Sequence, residues 1–106
     1  MADAGVRYGP TALTGTSATL GTVGAATTLT IRNIHICNET SAGVLAVLSI
    51  GTDGAGKRIL GPNLNIPANS VYDWSGFMIV AATEIITGWA SVASSLTITV
   101  SGILTT

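Results

Sequence analysis

At 106 residues and 10.6 kDa the chain is the size of one small domain, 47% hydrophobic but only 8% charged, with a formal net charge of −1. Four Lys and Arg cannot form the basic stripe that neutralises a row of phosphates, so no nucleic-acid partner is expected, and the apolar mass is too large for a disordered chain. Mean hydropathy is +0.60, yet the longest unbroken apolar runs, 44–48 and 77–82, are strand-sized against the roughly 18 residues that cross a bilayer, so no membrane partner is expected either.

Residues 1–17 are interrupted by Gly5, Gly9, Pro10 and Gly15 and read as an extended N-terminal arm whose anchor-like pair is Arg7-Tyr8. A sandwich domain is expected over 18–106, opening with an edge strand near Ala18 to Val23. From Thr27 to Cys37 apolar and polar residues alternate, but the phase shifts: Leu29 and Ile31 share one parity, Ile34 and Ile36 the other. A β-bulge near Arg32-Asn33 would bring all four to one core, because an extra residue restores the register. Val44 to Ile50 is almost continuously apolar, as in a strand covered on both faces. Gly51 to Gly56 and Gly61-Pro62-Asn63 read as turns. Ser70 to Val80 places Val71, Asp73, Ser75 and Phe77 on one face and Tyr72, Trp74 and Met78 on the other. Further strands are expected at Glu84 to Ala90 and Leu96 to Ser101. No segment carries a helical apolar face with a cap, so the fold class is all-β, a single β-sandwich of jelly-roll type.

Several motifs invite chemistry and have plainer explanations. Gly51 to Lys57 matches the start of a phosphate-binding loop, but Arg58 stands where a magnesium-binding hydroxyl belongs, and Gly61-Pro62 stops the helix that should follow. His35 and Cys37, two apart on one strand face, could share a metal, but a tetrahedral site needs more ligands than one His and one Cys. No metal or other cofactor is expected. Asp73 and Glu84 could be read as a glycosidase pair, yet five acids scattered over turns and strands suit surface charges better, so the chain is not expected to be an enzyme. Tyr72, Trp74 and Trp89 could line a glycan-binding face, although large aromatics more often bury. Asn38-Glu39-Thr40 fits the N-glycosylation pattern, but no secretory signal is read at the N-terminus and a turn explains it more simply. The single cysteine excludes an internal disulfide framework.

Polarity comes from sixteen Thr and nine Ser, with no charge between Arg7 and Arg32 and none after Glu84. A charge-poor small domain is expected to be covered by sister subunits or a larger body.

Four segments, Ile31-Arg32-Asn33-Ile34-His35-Ile36-Cys37-Asn38, Leu48-Ser49-Ile50-Gly51-Thr52-Asp53, Ile66 to Phe77 and Leu96 to Gly102, resemble a group of small tailed-bacteriophage virion structural proteins. Those chains open with an arm similar to Arg7-Tyr8-Gly9-Pro10. The resemblance implies a structural role in the particle, shared by head and tail members; the role expected first is a capsid decoration (cement) protein on the outside of the head, made in the host cytoplasm. Its expected partners are the major capsid protein, through Arg7, Tyr8 and Pro10, and further copies of itself, as a homotrimer. A tail or baseplate module and a carbohydrate-binding adhesin are the alternatives.

Overall fold

The computed structural model describes residues 3–106; Met1 and Ala2, the start of the expected arm, lie outside the described residues. The described residues form eight strands and no helix: β1 (Asp3–Ala12), β2 (Ala18–Thr22), β3 (Thr28–Asn38), β4 (Val44–Ile50), β5 (Arg58–Ile66), β6 (Ser70–Val80), β7 (Ile85–Ala90) and β8 (Leu96–Thr105). They make two four-stranded antiparallel sheets, ordered β1-β8-β3-β6 and β2-β7-β4-β5. One face of each sheet carries the core, so the sheets pack on one another as a sandwich.

The bulge that the phase shift demands is present in β3. Between Ile31 and Asn33 the register advances one residue along β8, from Gly102 to Ser101, and three along β6, from Met78 to Ser75. Arg32 is therefore the extra residue against β8, and Gly76-Phe77 supply the extra residue against β3. Leu29, Ile31, Ile34 and Ile36 are consequently all fully buried. Each such side chain contributes about 1.5–3 kcal/mol through removal from water. The crowding at this point requires Gly102, where a Cβ would collide with the carbonyl oxygen of Thr30.

Leu96, Ile98 and Val100 of β8 and Val80 of β6 complete the first sheet's share of the core, facing Val44, Ala46, Leu48, Ile66, Ile86 and Ala90 of the second. Leu13 and Val23, from the turns on either side of β2, join the same cluster. β4 is covered on both faces as expected: Val47, on the side away from the core, is also fully buried, opposite Trp89 and against the bulge of β5 at Gly61.

Two expectations are corrected. Asp3–Ala12 is not a free arm but a strand paired with β8 along its length, with an irregularity between Tyr8 and Thr11. Gly61-Pro62-Asn63 is not a turn but the interior of β5, where the register against β4 slips between Leu60 and Leu64. The reason is common to both. β1 and β5 are edge strands, and a proline that cannot donate to the ladder is accommodated at an edge bulge. Gly9 (φ +98°) and Gly61 (φ +95°) supply the left-handed backbone before each proline.

Candidate functional site

One group of chemistry-bearing side chains, His35, Cys37, Asp73, Asn33 and Arg32, collects on the outer face of the first sheet, because there the side chains alternate away from the core. Three adjacent strands place Asp73, His35 and Thr99 in one row, and His35 Nδ1 lies 2.7 Å from Asp73 Oδ1. One step along, Asn33 donates from Nδ2 to Trp74 O (3.1 Å) and to Ser75 Oγ (3.3 Å). At the bulge Arg32 donates from Nε to Gly76 O (3.2 Å), and its guanidinium lies 4.4 Å from the centre of the Phe77 ring. A cation over an aromatic face at this distance is attracted by the ring quadrupole. Beyond it, Ile79, Thr30 and Ile103 form the next row. Phe77 is 74% exposed, Ile79 59% and Val71 53%, giving this face an apolar margin along β6.

His35 and Cys37 do share this face, but among the described residues no three of His, Cys, Asp and Glu gather as a metal set. Asp73 and Glu84 are held separately: Asp73 pairs with His35, whereas the Glu84 carboxylate accepts the Ala81 N–H (2.7 Å) and closes the β6–β7 turn. No ligand-sized pocket is found among the described residues. Arg7 and Pro10 are exposed on β1, while Tyr8 is half-buried with its ring against Gly21.

The three candidate glycan-binding aromatics are not brought together. Tyr72 and Trp74 turn inward and pack on the core from β6. Trp89 lies on the outer side of the second sheet, and its Nε1 donates to Asp53 Oδ2 (3.2 Å). Asp53 is the centre of a small network that residue spacing did not reveal. Its Oδ1 accepts from Arg58 Nε and Ser49 Oγ, both at 3.1 Å. The Arg58 hydrogen bond is the main reason its carboxyl is held below the ordinary value. This network pins the glycine-rich 51–57 segment onto β4 and β7, aided by Thr87 Oγ1 donating to Gly51 O (2.7 Å). The segment is thus a hairpin connection from β4 to β5 and opens no helix.

Asn38 has a structural role. It is 1% exposed; its Nδ2 donates to Ala42 O and Ile66 O at 2.9 Å and to Pro67 O at 3.2 Å, and its Oδ1 accepts from the N–H and hydroxyl of Thr40. An amide so enclosed is closed to glycan transfer, and it ties the β3–β4 loop to the end of β5.

No family model and no curated protein matches the chain. Among solved structures, a chain from the structure of infectious bursal disease virus, Gt strain, is similar at 11% identity with a TM-score of 0.40, over 97% of this chain. This chain spans 28% of the length of that one.

Proposed function

We propose that the protein is a structural component of a tailed-bacteriophage virion, and first of all a decoration protein on the outer surface of the head. The strand order is read as a jelly roll: β1, β8, β3 and β6 face β2, β7, β4 and β5, the alternation that two Greek keys produce in an eight-stranded sandwich. The four segments that resemble small virion proteins motivate the virion reading. Two of them supply β3 and β6, hence most of the outer face just described.

The observation that carries the proposal is that face itself. Its exposed Phe77, Ile79 and Val71, interleaved with hydroxyls, amides and few charges, suit contact with protein more than display to water. With Asp3–Ala12 in the sheet, attachment to the major capsid protein is assigned to the exposed edge of β1, where Arg7 offers a cation and Pro10 an apolar surface. The action is mechanical: the domain bridges neighbouring capsid subunits, many copies acting together, with no reaction and no cofactor.

Separated heads and tails, probed with an antibody to this chain and imaged by cryo-electron microscopy, test the reading. The expected result is density for the sandwich on the outside of heads. Its presence in tails alone would transfer the protein to the tail, and its absence from both would end the virion proposal.

A further inference from the structure

Of the four sheet edges among the described residues, three are protected against pairing. β1 carries Pro10 at an irregularity, β2 has only five residues, and β5 carries Pro62 at another irregularity. β6 is different. It too has an irregularity, at Gly76-Phe77, but one without proline that leaves the in-out alternation of its side chains unbroken over eleven residues, and Asp73 is its sole charge. It pairs with β3 on one side only, so the N–H and C=O groups of its other side face outward. Its exposed large side chains are Val71, Phe77 and Ile79, and Arg32 of β3 is stacked on Phe77. Phe and Arg are among the side chains enriched where proteins meet.

We infer that the free edge of β6 is a subunit interface, and that its occupant is β6 of a second copy, antiparallel about a two-fold axis at Ser75. Charge complementarity selects the occupant and the register. In a pair centred on Ser75, Asp73 stands opposite Phe77 of the second copy and Val71 opposite Ile79. Arg32 has no carboxylate within ion-pair distance among the described residues, yet its guanidinium rests over Phe77. With adjacent strands about 4.8 Å apart, Phe77 faces Asp73 of the second copy, so the Arg32 cation and that carboxylate flank one ring in a single row, and the two-fold makes the arrangement twice. The exposed apolar pair Val71 and Ile79 is covered in the same arrangement, also twice. The result is one eight-stranded sheet across two subunits. A strand that pairs with itself closes at two copies, so this inference replaces the trimer expected for a capsid decoration protein, and it holds whether or not the chain belongs to a virion.

The test is sedimentation velocity of the full chain across the micromolar range, with Val71→Glu, Ile79→Lys and the double variant. A dimer is expected, weakened about tenfold by either single change, since each puts an unpaired charge against an apolar neighbour at the edge. The double variant should recover most of that loss, because the two-fold sets the new carboxylate against the new ammonium at both ends. Eight residues apart on one extended strand, the two cannot meet within a subunit. A monomer throughout, a trimer, or a double variant no tighter than the single ones would overturn the inference. Should a variant misfold by circular dichroism, hydrogen exchange on the unsubstituted chain decides. Protection of β6 amides that rises with protein concentration supports the pairing, and concentration-independent protection overturns it.

Discussion

Replacing Asn38 by Asp exchanges one NH2 for an oxygen inside a site that holds three carbonyl groups, and changes little else. The Oδ1 contacts with Thr40 survive, so the substitution isolates the donor half of the amide. Of the three acceptors, Ala42 O and Pro67 O belong to exposed residues and can turn to water, whereas Ile66 is fully buried. One deeply buried carbonyl thus loses its donor, at about 1–3 kcal/mol, and a carboxylate is set against oxygen atoms. A total of about 3 kcal/mol is expected at neutral pH, a large share of the stability of a small domain. With an unfolding entropy of about 2 cal/mol/K per residue, it corresponds to a melting point lower by about 13 °C. The new carboxyl has its folded-state pKa raised, by burial and by neighbouring carbonyls, and a protonated acid regains one donor. The folded state then binds the proton more tightly than the unfolded one. The deficit relative to the unsubstituted protein is therefore full above the raised pKa and shrinks as the pH falls toward about 4. Urea unfolding of both proteins, followed by far-UV circular dichroism at neutral pH and at about pH 3.5, measures it. A deficit under about 1 kcal/mol at neutral pH, or one that persists unchanged in acid, would refute the reasoning.

Three further outcomes are expected. Gly102→Ala should cost about 1–3 kcal/mol in urea unfolding, because the added methyl meets the Thr30 carbonyl where the bulge draws β8 and β3 together; a neutral result would mean that the strands separate freely there. For Asp53, whose carboxyl is held low chiefly by Arg58, the folded state favours the ionised form, so its stabilisation is present above the unfolded value and lost as the pH falls below about 4. Asp53→Asn should therefore lower the urea midpoint at neutral pH and differ less from the parent in acid, and a pH-independent difference would contradict the network. His35→Gln should change stability by no more than about 1 kcal/mol, since its pair with Asp73 is exposed, whereas Leu48→Ala in the core should cost about 2–5 kcal/mol; comparable losses for the two would contradict the burial pattern.

Strands whose two faces see different surroundings were legible in the amino-acid order. Ser70–Val80 alternates because β6 has a core face and an outer face, and Val44–Ile50 does not because β4 is covered on both. The broken phase between Ile31 and Ile34 even located a bulge, since only an inserted residue lets four aliphatic side chains meet one core. Period-two alternation without any helical apolar face set the all-β class, and composition alone set the shortage of charge. What neighbouring residues could not disclose was whether a segment interrupted by Gly-Pro is a turn, an arm or a strand. That depends on whether the partner ladder leaves the proline on a solvent edge, and the partners of β1 and β5 were chosen by topology. The clusters likewise arose from register between distant segments. Asp53 meets Trp89 thirty-six positions away, and Asn38 reaches Ile66 across twenty-eight. Side-chain hydrogen bonds of that span form only once the sheets have fixed which backbone lies beside which. The exposure of β6 has the same origin: its alternation was written in the chain, but its place at an unprotected edge was decided by the order in which the strands pair.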